Sequence, residues 1–352
     1  MLVYILSRNE NLYSTKRLFE EALNKGWEVR VIDYLKCTIE IMKNELVVNY
    51  EGEILKVPDA IIPRIGASRT FFGAAIVRHF EMQDVFSTTG NLALTRSRDK
   101  LRSLQVLSKN GVDLPRTVFA SNKSNAKDVI ALSGGTPLVL KILEGTQGVG
   151  VVLVDSKKAA KSVLDAFYGM DVNLLVQEYI EEASGSDIRV FVVNGEVVAA
   201  MKRQGSEGDF RSNLHQGGSA SVYKLNRKEK SIALAAAKSM GLGVCGVDMI
   251  SSKRGPLVME VNSSPGLEGI EKSTNINVAL KIMDYIEQNI KPNCPTNPIK
   301  RKIKKDSRSF SYFLFMTQQF PKFFQDFHQY LLSVNMNQLP VDLRQNQSTE
   351  QW

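Results

Sequence analysis

The sequence predicts an α/β (α+β) protein, and three observations carry that reading. Residues 1–95 alternate short apolar strands with an amphipathic helix. Further on, pairs of apolar runs are separated by strong turn residues, as in antiparallel hairpins. Between and after those pairs lie helical stretches, one of them Ala-rich.

In chain order, Leu2–Leu6, Val29–Asp33 and Ala60–Ile62 read as strands, and Ser14–Lys25 as a helix ended by Gly26. This is a first α/β unit, residues 1–96. A second segment, residues 97–185, opens on a basic helix, Ser97–Asn110, stopped by Gly111. Strands follow at Thr117–Ala120, Leu138–Leu143, Val151–Val154 and Leu174–Glu178. The third segment, residues 186–291, contributes Ile188–Val193 and Glu196–Lys202, joined through Asn194-Gly195. A loop, a helix at Arg227–Met240, a hairpin (Val244–Ile250 with Leu257–Val261) and a closing helix at Asn277–Asn289 complete it. Pro292 and Pro295 mark the exit into residues 292–352.

A chain of 352 residues accommodates two or three domains. The start, MLVYILSRNE, has no basic region before its short apolar run, so it reads as a first strand rather than a signal peptide. No stretch approaches a membrane span. Cys37, Cys245 and Cys294 lack metal or redox spacing, which predicts a cytoplasmic protein. The net charge of +8 favours anionic partners such as nucleotides, acidic peptides or RNA-rich particles. No direct nucleic-acid readout is expected.

The chemistry concentrates in the hairpin near residue 254. Glu260 and Asn262 are two apart and share a strand face. A turn centred near Arg254 places Asp248 opposite Glu260. Two carboxylates and a carboxamide oxygen then converge, a set of hard donors suited to Mg²⁺ or Mn²⁺ holding substrate phosphates. The plain alternative is a polar strand end with Asn262 starting a turn. Residues 241–246, GLGVCG, fit G-x-G-x-x-G in letters only. A helix precedes and a strand follows, the reverse of the dinucleotide fingerprint, so these glycines are expected to cap the helix and admit close packing.

The better phosphate loop is Glu144-Gly145-Thr146-Gln147-Gly148-Val149-Gly150, a hairpin tip whose backbone N–H groups can turn toward an anion. Lys141 precedes it in an apolar stretch where an unpaired ammonium is costly, so it calls for an anion. Lys100 is a second candidate phosphate cation, although a solvated position on a basic helix explains it as simply. The strand end Gln177-Glu178-Tyr179 can present backbone groups and a carboxylate to an adenine edge, and Asp187 can accept ribose hydroxyls. In the polar loop Asp209–Gly218, Arg211 would neutralise a transferring phosphoryl group and Asn213 orient it. His215 reads as a structural support. Arg189, Lys202 and Arg203 are candidates for acidic substrates, with a solvated charged face as the alternative.

The ordered set EGTQGVGV, QEYIEEASGSDIR, GDFRSNLHQGG, GVD and VMEVNSSPGLEGIE resembles the ATP-grasp superfamily, and within it the RimK-type glutamate ligases. The resemblance covers roughly residues 1–290, including LYSTKRL, IPRIGAS and SRDKLRS. It implies a pre-ATP-grasp domain (1–96), a central subdomain with the glycine loop (97–185) and a C-terminal subdomain with the metal site (186–291). ATP would be contacted by Lys100, Lys141, Gly148, Glu178, Tyr179, Asp187, Arg211, Ser212 and Asn213, with Arg211 and Lys141 catalytic. Asp248, Glu260 and Asn262 would ligate Mg²⁺ or Mn²⁺, two ions with Glu260 as the bridge. The implied partners are ATP, L-glutamate and the C-terminus of a small-subunit ribosomal protein, with the enzyme as a homo-oligomer.

Two other functions fit the same residues: a related ligase adding glutamate to a small molecule or carrier protein, and a non-enzymatic ribosome-binding protein switched by ATP. The resemblance stops before residues 292–352. There a basic run, TNPIKRKIKKDSR, precedes seven of the chain's 16 Phe, between Phe310 and Phe327. An aromatic segment this dense is expected either to dock on a surface or to be an extension without catalytic importance.

Overall fold

In the computed structural model, the described residues are 1–121, 124–143, 150–206, 210, 212 and 217–290. Gly148, Arg211, Asn213, His215 and the segment 292–352 lie outside them.

The first unit is a parallel sheet. β1 (Leu2–Leu6) leads through α1 (Tyr13–Asn24) to β2 (Glu28–Ile32), which pairs parallel to β1. A small antiparallel sheet follows, β3 (Cys37–Met42), β4 (Glu45–Tyr50) and β5 (Glu53–Ile54). The chain then returns to the other edge of β1 as β6 (Ala60–Pro63), runs through α2 (Thr70–Glu81) and adds β7 (Phe86–Ser87). The order is β2-β1-β6-β7. Alternation along β1 splits its side chains between two cores: Val3 and Ile5 pack with Leu18 and Ala22, Tyr4 and Leu6 with Ile76 and Phe80.

The single basic helix expected over Ser97–Asn110 is two helices, α3 (Asn91–Arg98) and α4 (Lys100–Lys109). Asp99 divides them: it is extended (φ −86°, ψ 101°) and its carboxylate accepts from the Arg102 N–H at 2.9 Å. An aspartate preceding a run of helix formers is a good N-cap, and that preference breaks the continuous helix.

The second sheet is antiparallel, in the order β10 (Val151–Val154), β9 (Leu138–Ile142), β11 (Leu174–Glu178), β8 (Thr117–Ala120). Leu138, Leu140, Val154, Leu174 and Val176 face α5 (Ala126–Leu132) and α6 (Lys157–Gly169). The alternate positions, Lys141 and Gln177 among them, lie on the opposite face.

The third sheet runs β14 (Ser219–Val222), β13 (Glu196–Gln204), β12 (Ser186–Val193), β15 (Val244–Ser252), β16 (Gly255–Asn262). One face packs Val190, Val192 and Val247 against α7 (Arg227–Met240), which starts in a capping box between Asn226 and Glu229. On the other face Phe191, Val193, Met201 and Val244 meet α8 (Glu268–Thr274) and α9 (Val278–Asn289). Gly241 caps α7 in the left-handed region (φ 70°), and a Cβ on Gly243 would lie 2.2 Å from the Tyr285 hydroxyl. The GLGVCG glycines therefore terminate a helix and admit a tyrosine, as expected.

Two bulges set the register of this sheet. Val193 lies opposite Glu196 across the Asn194-Gly195 turn, but a shift between Phe191 and Val192 brings Arg203, rather than Lys202, opposite Asp187. A second shift, between Asp248 and Met249, brings Asp248 opposite Glu260 although Ser252 pairs with Gly255. The predicted Asp248–Glu260 pairing is thus reached by a two-residue turn and a bulge.

Candidate active site

The α8/α9 face of the third sheet is apolar at one end and charged at the other. Following the registers, Asp187 and Arg189 on β12, Arg203 on β13, Asp248 on β15, and Glu260 and Asn262 on β16 share the charged end. Asp248 is almost fully buried, at 2% exposure. Arg189 Nε donates to Asp248 Oδ1 at 2.6 Å, and its Nη2 donates to Oδ2. Arg203 Nη2 donates to Asp248 Oδ2 at 3.0 Å, while its Nε donates to Asp187 Oδ1 at 2.7 Å. Burial would raise the Asp248 carboxyl, but the charges of Arg189 and Arg203 outweigh it and hold the group well below the ordinary carboxylate range. Asp187 moves the other way: burial pushes it up, against hydrogen bonds from Arg203 and Ser212.

Glu260 is exposed, and Asn262 joins it to Asp248: the carboxamide Nδ2 donates to Glu260 Oε1 at 2.9 Å and to Asp248 Oδ2 at 3.4 Å. Among the described residues no group of three or more His, Cys, Asp or Glu side chains is arranged to hold a metal. The donor set here is two carboxylates and a carboxamide. That suits Mg²⁺, which keeps several waters and takes further oxygens from substrate phosphates. The fit requires two rearrangements from the described state: Asn262 must turn its oxygen inward, and Asp248 must loosen from Arg189.

From the second sheet, Lys141 Nζ donates to Gln177 Oε1 at 2.7 Å, and Gln177 Nε2 donates to Thr117 Oγ1 at 2.8 Å. The sequence calls for an anion at Lys141; here its ammonium is instead held by a neutral amide. Burial lowers the Lys141 ammonium, with the Glu260 charge opposing. Lys100, at the start of α4, donates to the carbonyls of Ile142 and Leu143 at 3.2 and 3.0 Å. It too is lowered by burial, with Glu260 opposing. Both ammonium groups thus lie within electrostatic reach of Glu260, beside the strand that leads into the glycine loop.

Glu178 and Tyr179 form a separate group. Glu178 Oε1 accepts from the Arg116 N–H at 2.6 Å and from the Arg254 guanidinium. The Tyr179 ring meets Phe210 edge-on, with centroids 6.4 Å apart. In sum, the structure gathers Asp187, Ser212, Asp248, Glu260 and Asn262 on or beside one sheet, with Lys100 and Lys141 close to Glu260.

Sequence reasoning missed Gln177 as the lysine partner. It left Arg189 and Arg203 as candidates for acidic substrates or as part of a solvated charged face; here they neutralise Asp248 and Asp187. Period-two spacing from Asp187 to Arg189 was the available signal for the first; the bulge hid the second.

The family description "RimK-like ATP-grasp domain" matches residues 97–286, and "RimK PreATP-grasp domain" matches residues 1–94. A probable alpha-L-glutamate ligase of Saccharophagus degradans is 58% identical over 293 residues, 83% of this chain and 97% of that protein. One from Vibrio vulnificus is 59% identical over 293 residues, with the same coverage of 83% and 97%. Among solved structures, the ATP-grasp ligase PsnB complexed with a phosphomimetic variant of its minimal precursor, Mg and ADP superposes with a TM-score of 0.64. It is 19% identical, covering 82% of this chain and 98% of that one. D-alanine–D-alanine ligase from Bacillus anthracis gives 0.57 at 18% identity, covering 82% and 96%. These structural likenesses establish the fold.

Proposed function

Because the chain belongs to the RimK-like ATP-grasp family, whose members are ATP-dependent ligases, we propose that it adds L-glutamate to the C-terminal glutamate of a small-subunit ribosomal protein. The observation that carries the phosphate chemistry is the convergence of Asp248, Glu260 and Asn262 on one sheet face, with Lys100 and Lys141 within reach of Glu260. The relatives named as glutamate ligases support the amino-acid substrate.

A free carboxylate is a poor acyl donor because hydroxide or oxide leaves badly. In the proposed reaction an acceptor carboxylate oxygen attacks the γ-phosphorus of ATP and ADP departs. The amine of glutamate then attacks the acyl carbon, its proton is lost and inorganic phosphate leaves with the C–O bonding pair. Asp248, Glu260 and Asn262 would hold Mg²⁺ or Mn²⁺, two ions being the proposed number. The metal supplies charge neutralisation for the β- and γ-phosphates. Lys141 would bind a phosphate oxygen, and Lys100 would add a second positive charge beside it. Asp187 and Ser212 would meet the ribose side of the nucleotide, and Glu178 and Tyr179 the adenine side. Gly148, Arg211 and Asn213 complete the proposed nucleotide contacts, Arg211 neutralising the transferring phosphoryl group. The proposed domain divisions after residues 96 and 185 put these contacts on both ATP-grasp subdomains, and the proposed assembly is a homo-oligomer in the cytoplasm. Among the described residues no helix is long and apolar enough to cross a membrane.

Mass spectrometry of small-subunit ribosomal proteins from cells with and without this protein tests the acceptor. The expected difference is a C-terminal glutamate increment on one protein. Phosphate release with glutamate and a panel of acceptors completes the test. Turnover only on a metabolite or carrier protein would replace the ribosomal reading with a related ligase.

A further inference from the structure

Arg64 leaves the C-terminal end of β6, and its N–H donates to the Leu6 carbonyl at the end of β1 at 2.9 Å. β2 lies on one side of β1 and β6 on the other, so the chain reverses its direction of travel across the sheet between β1 and β6. The crevice outside the carboxyl ends of strands at such a switch point is where open parallel sheets bind ligands. Arg64 stands in that crevice.

Its surroundings are cationic. Arg64 Nη2 donates to the Pro265 carbonyl at 2.8 Å, and Arg98 Nη2 donates to the Ile65 carbonyl at 2.6 Å. Among the described residues neither guanidinium forms an ion pair with a carboxylate. Burial, together with the charge of Arg98, brings Arg64 down to about 10, and burial lowers Arg98 as well. Among the described residues Arg98 Nε is buried without a hydrogen-bond partner, and so is the hydroxyl of Ser263, a residue 2% exposed in the segment that Arg64 holds through Pro265. Unsatisfied buried donors beside two like charges are expensive unless an anion completes them. Arg98 also feels the charge of Glu260, which places this crevice beside the metal end of the site.

The other arginines that are candidates for acidic substrates are occupied, Arg189 by Asp248 and Arg203 by Asp187 and Asp248. We infer that Arg64 and Arg98, with the Ser263 hydroxyl, form a subsite for a substrate carboxylate that does not itself react. The inference rests on the ligase reading and adds a position for the substrate's negative charge. The carboxylate belongs either to free L-glutamate or to the acceptor peptide, and kinetics separates the two.

The full-length enzyme and its R64M, R64K and R98M variants are assayed for the KM of L-glutamate, of a peptide ending in glutamate, and of ATP. Loss of a charge-assisted hydrogen bond predicts a roughly 10- to 100-fold rise in one substrate KM for R64M and R98M. R64K should recover part of it, and the KM of ATP should stay within about twofold. A rise for glutamate assigns the subsite to the free amino acid; a rise for the peptide assigns it to the acceptor. Unchanged substrate KM values, or a fall in kcat alone with a lower melting temperature, would overturn the inference. Arg64 and Arg98 also brace Pro265 and Ile65, so R64K, which retains a cationic donor, decides the matter should the methionine variants unfold. Calorimetric binding of L-glutamate and of the peptide to the ADP-saturated proteins makes the same distinction without turnover. A wild type that ligates nothing thus counts against the ligase reading, and carboxylate binding lost in the variants still supports the subsite.

Discussion

Removing Arg189 should make the metal-free protein less stable and its metal site stronger. Asp248 is buried and accepts two hydrogen bonds from Arg189 and one from Arg203. In Arg189→Met the carboxylate keeps Arg203 and the longer contact from Asn262. A hydrogen bond to a charged group contributes about 1.5–3 kcal/mol, and the 17% exposure of the Arg189 side chain favours the lower half of that range. At roughly 2 °C per kcal/mol for a protein of this size, loss of both bonds should lower the melting temperature in EDTA by about 6–9 °C. With saturating Mg²⁺ and ADP the deficit should shrink to less than half, because Asp248 then has another positive partner. The same logic predicts that Mn²⁺ alone, followed by the electron paramagnetic resonance signal of the free ion, binds about tenfold more tightly to the variant. An equal loss of stability in EDTA and in Mg²⁺·ADP, together with an unchanged Mn²⁺ affinity, would refute the exchange of partners at Asp248.

Three further outcomes are expected. Lys141→Ala, which strips Gln177 of its cationic donor, should weaken ADP binding about 10- to 100-fold; calorimetry showing unchanged affinity would remove Lys141 from the nucleotide site. Glu21 accepts from Arg17 within α1 and from Asn277 at the start of α9; burial alone would raise it, but those hydrogen bonds keep its carboxyl below the ordinary range, so its contribution is complete above the unfolded value of about 4.3 and lost as pH falls through the lower folded value. Glu21→Gln should therefore cost about 1–2 kcal/mol at pH 7, with the gap in denaturation midpoint closing in acid. Gly243→Ala should cost about 1–3 kcal/mol through collision with Tyr285, and pairing it with Tyr285→Phe should recover part of that loss.

Much of the candidate site's geometry was legible because period-two spacing is a hard constraint. Glu260 and Asn262 had to share a face, and the Ser251–Pro256 turn brought Asp248 to them. What the sequence concealed were single-residue shifts. The Asn194-Gly195 turn, read without a bulge, places Lys202 opposite Asp187; the extra residue after Val197 substitutes Arg203 and leaves Lys202 exposed. No local pattern announces such a bulge, because its cause is the packing of the whole sheet. Helix α2 was missed for a different reason. Its run Phe71-Phe72-Gly73-Ala74-Ala75-Ile76-Val77 is apolar on nearly every side and contains a glycine, so periodicity does not distinguish helix from strand there. The break at Asp99 was available from capping chemistry, since an aspartate three residues before the Arg102 N–H is a ready acceptor. The sequence puts Arg98 and Lys100 on one basic helix, with Lys100 a candidate phosphate cation; the break instead puts them at the end of one helix and the start of the next.

That break connects the two halves of the site. Arg98 ends α3 and reaches the Ile65 carbonyl at the switch point of the parallel sheet, while Lys100 begins α4 and reaches the carbonyls of Ile142 and Leu143 at the mouth of the glycine loop. Glu260 exerts its charge on both, and on Lys141. One exposed carboxylate is therefore the common neighbour of three cations, two directed toward the proposed phosphates and one toward the proposed substrate carboxylate. The paired arginines, Arg189 and Arg203, offset acids that are already buried. Arg64 and Arg98 have no such acid among the described residues. A ligase that brings a triphosphate and an acidic substrate together needs that asymmetry. Cations neutralised by the protein stabilise the fold, and cations left without acids make room for anions that arrive.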